Sequence, residues 1–185
     1  MDSCATVRQR SQAPHAKSQV WSRWNPEFGA SLHMLQLRLA LRSIALLRVG
    51  GCLAYSTCSL NPAEDEAVVA ELLRRCGGSV EVVDVRAGEA LEGNGDGVVH
   101  DAAAKSRPGV CDWPVYASAQ GEMDGDESTL RVPEPGSRGF PRSLWPPTKG
   151  ETALRKQLRK CLRFWPMDND TGGFFVCILF CHLDH

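Results

Sequence analysis

The segment LAYSTCSLNPAEDEAVVAELL, Leu53 to Leu73, runs from an apolar stretch through one cysteine into a helix start, with no room for a long connection. A strand that hands over to a helix in so few residues belongs in a layered α/β domain, which excludes an all-helical bundle or a sandwich of strands alone. GCLAYS reads as a short buried strand. Asn61 then fits a helix N-cap, with Pro62 at the first helical position and Glu64 three residues after the cap. That helix runs to about Cys76 and stops at Gly77 and Gly78. Cys58 lies at the crossing.

The flanking segments repeat the alternation. From Ser31, read as an N-cap, Leu32, Leu35 and Leu39 fall at helical spacing, and Gly50 and Gly51 close the segment. The valine-rich SVEVVDV, Ser79 to Val85, reads as a further strand. Helix, strand, helix, strand in that order implies an α/β layer with parallel strands. A third helix is predicted over Glu151–Arg163, with Leu154, Leu158, Cys161 and Leu162 on one face and Arg155, Lys156, Arg159, Lys160 and Arg163 around the rest. FFVCILF, Phe174 to Phe180, supplies a last buried strand after the turn MDNDTGG.

Two regions break the pattern. Residues 1–20 are polar and aperiodic and read as a flexible lead-in, with order beginning near Trp21 and a single domain over 21–185. Residues 86–150 turn to Gly, Pro, Asp and Ser, with Trp113, Val115, Tyr116, Phe140 and Trp145 as anchors. A loop-rich insertion of that length is either functional or partly disordered.

Charge narrows the field little. The 21 basic and 22 acidic residues leave a net charge of −1, so no global field recruits nucleic acid or membrane, and such binding has to come from local patches. No apolar run has bilayer-spanning length, so no membrane partner is expected. Eight cysteines occur without CxxC pairing, behind an N-terminus with no signal-like apolar core, and imply a reducing compartment. Cys177, Cys181, His182 and His185 are the nearest approach to a metal cluster, but strand alternation and a polar tail explain the same letters, and no metal is expected.

What Cys58 does stays open on local physics alone. A helix N-terminus favours thiolate over thiol, whereas Glu64, Asp65 and Glu66 work against it. A small buried thiol is the plain alternative. A non-catalytic RNA-binding piece would use the basic helix, the Arg38/Arg42 pair and stacking on Trp21 and Trp24; a different thiol enzyme would need His33 or His100 as its base.

YSTCSLNPAEDEAVV, taken with LHMLQLRLALRSIALLRVGG, RSLWPPTKGE and KCLRFWPMDNDTGGFFVCIL, resembles the RNA cytosine-5 methyltransferases of the RsmB/NOP type, and within them the NOP/SUN tRNA enzymes. The likeness covers roughly Trp21 to Val85 and Ser143 to Phe180. It implies the C-terminal half of a Rossmann-like S-adenosylmethionine-dependent methyltransferase fold. It also implies RNA, with tRNA the expected class, as substrate, and residence in the nucleus or nucleolus. The family's TCS cysteine matches Cys58, so the resemblance makes Cys58 the nucleophile that adds to cytosine carbon 6. The base has to leave its stack to be reached.

Three departures qualify it. No strand-linked GxGxxG-type element occurs, so no cofactor-binding residue is assigned. Asp2, Ser3 and Cys4 imitate the family's D-x-P-C product-release motif without its proline, and that role is not carried to Cys4. Met167 stands where a histidine is usual. The expectation is therefore the C-terminal half of an enzyme, beginning just after the release motif and without the cofactor loop, with turnover by this chain alone in question.

Overall fold

The computed structural model describes residues 4–8, 26–87, 105–118, 130–169 and 172–182. Trp21, Trp24, His100 and His185 lie outside them.

Helix α1, Pro26–Ile44, leads into strand β2, Cys52–Thr57, and helix α2, Glu66–Cys76, follows. Strand β3, Val80–Val82, comes next, and after the insertion come helix α3, Thr152–Arg159, strand β7, Leu162–Phe164, the four-residue helix α4, Pro166–Asn169, and strand β8, Phe174–Cys181. Cys4–Arg8, inside the stretch read as lead-in, forms strand β1 and pairs parallel with β2. Within the insertion, Arg107–Pro108 forms β4 against β7, and β5, Ala117–Ser118, pairs with β6, Leu130–Arg131.

The α/β layering is as read, but the sheet is mixed: only β1 and β2 pair in parallel among the described strands. Strand β8 lies between β2 and β3 and runs antiparallel to both, from Thr57↔Phe175 to Cys52↔Phe180 on one side and Val80↔Cys181 to Val82↔Leu179 on the other. β2 and β3 thus share a direction without touching. The alternation of elements reports direction of travel, and the C-terminal strand takes the place between them.

Burial alternates along β2 and β8 as a period of two demands, with Leu53, Tyr55 and Thr57 facing the same core as Phe175, Cys177, Leu179 and Cys181. Helix α1 sends Leu37, Ala40 and Ile44 into that core, and α2 sends Val68, Val69 and Leu72. The opposite sheet face carries Val176, Ile178 and Phe180 beneath Val83, Val85 and Leu162. Helix α2 ends where expected, because Gly77 takes the left-handed conformation (φ 55°) that a side chain disfavours.

Three boundaries move. Ser31 is interior to α1, where its hydroxyl donates to Phe28 O at 2.8 Å instead of capping. Asn61 does cap, with Oδ1 accepting the Ala63 N–H at 3.1 Å, but it closes a turn over Pro62–Asp65 that precedes the helix proper. The predicted helix over Glu151–Arg163 ends at Arg159, and Leu162 and Arg163 belong to β7. Pairing with β8, Leu162↔Val176 and Arg163↔Phe175, outcompetes the helical periodicity of that stretch.

The insertion is anchored where it is described. Trp113 is buried and its Nε1 donates to Leu144 O at 2.8 Å; Phe140 is buried with Leu144 and Ala30. Tyr116 is exposed and anchors nothing.

Candidate nucleophile site

Cys58 is the residue after the last of β2, at the bend into the loop to α2, and among the described cysteines it alone is exposed. Its neighbours are tied down. Thr57 Oγ1 donates to Asp65 Oδ1 at 2.6 Å, and Ser59 Oγ donates to Glu64 Oε1 at 3.0 Å while accepting the Asn61 N–H at 3.0 Å. Leu60 O accepts from Arg163 Nη1 at 2.9 Å. The side chain of Leu60 also packs so closely on Gly173 that a Cβ there would fall 3.1 Å from Leu60 Cδ1. The loop is a rigid bracket, and the thiol projects from it.

Beneath the bracket is a buried charge cluster. Arg163, 3% exposed, grips Glu66 with Nε at 2.6 Å from Oε1 and Nη2 at 2.5 Å from Oε2, and lies 3.5 Å from Asp65 Oδ2. Glu66 Oε1 also accepts the Val110 N–H at 2.9 Å, which locks the insertion to the same cluster. Burial, reinforced by the Glu66 charge, pushes the Asp65 carboxyl well above the usual range; burial raises Glu64 as well. Arg163 remains a firm cation, because burial opposes its charge but the Glu66 hydrogen bonds and the acidic pair outweigh it. Tyr55 completes the floor, donating its hydroxyl to Glu64 O at 2.5 Å.

Arg163 is the residue that sequence reasoning misplaced. Helical periodicity groups it with the basic residues around the predicted helix, and the one signal to the contrary in the sequence is the run of three carboxylates, Glu64 to Glu66, in an otherwise apolar junction, which calls for a cation.

His33 is excluded as a general base for Cys58. Its Nδ1 donates to Ala63 O at 2.8 Å and its Nε2 accepts from Ser143 Oγ at 2.8 Å, so both nitrogens are occupied in a buried site, and burial lowers its pKa. Of the basic helix residues, Arg155 is engaged by Asp112, Cys111 O and Pro147 O. Cys177 and Cys181 face the core and His182 pairs with Glu81 at 2.9 Å, and among the described residues no group of His, Cys, Asp or Glu could hold a metal ion. No helix among them is long and apolar enough to cross a membrane.

The described residues do not fit a cradle for S-adenosylmethionine. The loop after β2 has no glycine, and the left-handed glycines Gly50, Gly77, Gly78, Gly136 and Gly139 precede β2, follow α2 or lie in the insertion. The tightly packed Gly29, Gly109 and Gly173 face atoms of the chain itself. A groove of about 480 Å³ lined by Met34, Arg142, Ser143 and Trp145 includes no residue of the Cys58 loop, and its Arg74 and Arg75 are paired with Glu151 and Glu71.

The chain is 37% identical over 161 residues to the multisite-specific tRNA (cytosine-C5) methyltransferase of Schizosaccharomyces pombe, which covers 86% of this chain and 21% of that protein. It is 38% identical over 160 residues to the corresponding Saccharomyces cerevisiae enzyme and 37% identical to a Drosophila melanogaster tRNA (cytosine(34)-C5) methyltransferase, covering 86% of this chain in each case. It thus spans about a fifth of the length of these curated relatives. Among solved structures, a methyltransferase homologue from Pyrococcus horikoshii superposes with a TM-score of 0.46 and 17% identity over 95% of this chain and 38% of that one. The family model of the 16S rRNA methyltransferase RsmB/F matches residues 4–104, which take in β1, α1, β2, the Cys58 loop and α2. The chain belongs to the RsmB/F methyltransferase family.

Proposed function

We infer that this chain carries the nucleophile-bearing portion of an RNA cytosine-5 methyltransferase, with tRNA as the substrate class and Cys58 as the nucleophile. The supporting observation is the exposed Cys58 thiol on a loop whose other residues are held by buried partners. The names of the three relatives described above, each a cytosine-C5 methyltransferase acting on tRNA, support the substrate class.

In this reading the Cys58 thiolate adds to carbon 6 of a cytosine that has left its stack, forming an S–C6 bond and shifting the ring electrons to carbon 5. Carbon 5, now enamine-like, is the atom that takes the methyl group. Loss of the carbon 5 proton to a general base, a role assigned to no described residue, then returns the electrons, breaks the S–C6 bond and frees the thiolate. Holding the loop rigid keeps the sulfur aligned for addition without an ordering cost at each turnover. S-adenosylmethionine is the donor class that goes with the family, and no described residue is assigned to it. Nuclear or nucleolar residence belongs to the same reading.

The test is covalent trapping on RNA containing 5-azacytidine, read as a shifted band on a denaturing gel with the adduct located by peptide mass spectrometry. The expected adduct is on Cys58, and Cys58→Ala removes the band. An unchanged band with Cys58→Ala overturns the role. Salt-sensitive RNA binding with no trapping marks a binding module in place of an enzyme.

A further inference from the structure

Resting on the reading of Cys58 as nucleophile, we propose that Arg107 and Trp165 form a stacking platform for a nucleotide flanking the target cytosine. The sheet register places it. Thr57, the residue before Cys58, pairs with Phe175, Phe175 pairs with Arg163, and Phe174 pairs with Phe164, whose successor is Trp165. Strand β7 is two strands from β2, about 10 Å at the usual inter-strand spacing. Across β7, Arg107 of β4 pairs with Arg163. The guanidinium of Arg107 sits over the Trp165 ring, 5.8 Å from its centroid, with its edge fixed by Asp168 through Nε–Oδ2 at 2.7 Å and Nη2–Oδ1 at 2.8 Å.

The side chain of Arg107 is nevertheless 55% exposed. A planar cation clamped at its edge, backed by an indole and open on its outer side, is the arrangement on which an unstacked base rests. Exposed apolar side chains lie close by in the chain and the sheet: Met167, two residues after Trp165, is 76% exposed, and Phe174, the partner of Phe164, is 39% exposed. Nothing folds Arg107 away, because its strand is pinned behind it by the Val110 N–H on Glu66 and by Gly109, where a Cβ would fall 2.2 Å from Leu158 O. The insertion is thereby a part of the site, built from the same buried carboxylate that braces Cys58.

Asp168 gives the proposal a signature that ordinary phosphate binding lacks. Because Asp168 neutralises Arg107, the platform acts by its flat surface and contributes little to the count of displaced counterions. The probe is a single-stranded RNA oligomer with one central cytosine, bound to the full 185-residue chain and followed by fluorescence anisotropy at several salt concentrations. Trp165→Leu is expected to weaken binding about ten-fold. Arg107→Lys, which keeps the charge and loses the plane, is expected to weaken it several-fold, with the slope of log affinity against log salt unchanged for both variants. Denaturation midpoints close to the unaltered chain's identify the loss as one of contact.

Arg107→Lys binding as well as the unaltered chain, or a salt slope that falls by about one in Arg107→Ala, would show a phosphate contact and overturn the platform. Failure of the unaltered chain to bind the oligomer overturns it as well. The outcomes are separable from those for Cys58: trapping at Cys58 with no effect of Arg107 or Trp165 sinks the platform alone, and weakened binding without trapping sinks the nucleophile alone.

Discussion

Arg163 and Glu66, 97 residues apart in sequence, meet in a buried two-pronged ion pair. The same guanidinium reaches Leu60 O, two residues from Cys58, and the same carboxylate holds Val110 of the insertion. One pair of side chains therefore sets the relation between the Cys58 loop, the C-terminal hairpin and the middle of the chain.

Removing the cation leaves Glu66 and Asp65 buried without their counter-charge. Arg163→Met is expected to destabilise the fold by about 3–5 kcal/mol, the usual cost of orphaning one partner of a buried pair. The double variant Arg163→Met, Glu66→Leu should recover a large part of that loss. Urea denaturation of the single and double variants checks both, and strict additivity would contradict the coupling.

Iodoacetamide should label Cys58 before the other described cysteines, since Cys52 and Cys76 are half-buried and Cys111, Cys161, Cys177 and Cys181 are buried. Peptide mapping of a time course reads the order. Cys58→Ala should cost no more than about 0.5 kcal/mol of stability, as an exposed side chain without buried partners.

The raised carboxyl of Asp65 has a sign that can be measured. A group whose folded pKa lies above its unfolded value near 3.8 contributes stability fully present below that value and lost as pH rises towards the folded one. Asp65 therefore contributes a loss of stability as pH climbs from about 4, opposite in sign to Asp112, Glu151 and Asp168, whose carboxyls their arginine partners hold low, and Asp65→Asn, which cannot ionise, should remove its share. Glu64 adds to the decline, because burial raises it as well. His33 works the other way, since its lowered pKa costs stability as pH falls through 6.5, so the two limbs separate in a pH series of denaturation midpoints.

Gly109 offers a steric check. Its missing Cβ would lie 2.2 Å from a backbone oxygen of α3, which cannot swing aside, and 3.2 Å from Glu66 Oε1. Gly109→Ala is expected to cost about 1–3 kcal/mol and to loosen the Arg107 strand with it. Loss of Arg107-dependent RNA affinity in this variant, at a temperature where it remains folded, is the accompanying readout.

The parts of the fold carried by local chemistry were legible in the residues. The β2–loop–α2 unit, with Asn61 capping and Gly77 stopping, is a matter of turn residues and periodicity within about twenty-five positions. The inward face of β8 follows from its alternation. What the residues did not disclose depends on distant pairing. Arg163 looks like one more basic position after Arg159 and Lys160 until β8 draws Leu162–Phe164 into the sheet, and only then does its head group turn inward to Glu66. Likewise, nothing local in RPGV says that Gly109 and Val110 rest against α3 and Glu66, because the other half of each contact is dozens of positions away.

Strand β8 neighbours β2, β3 and β7, yet it follows all of them in the chain. During folding β2, β3 and β7 cannot join into one sheet until β8 is in place, although β1 can already lie against β2. Closure is then a late event with large loop-closure entropy, and until it happens these strands present unsatisfied edges that a chaperone could hold.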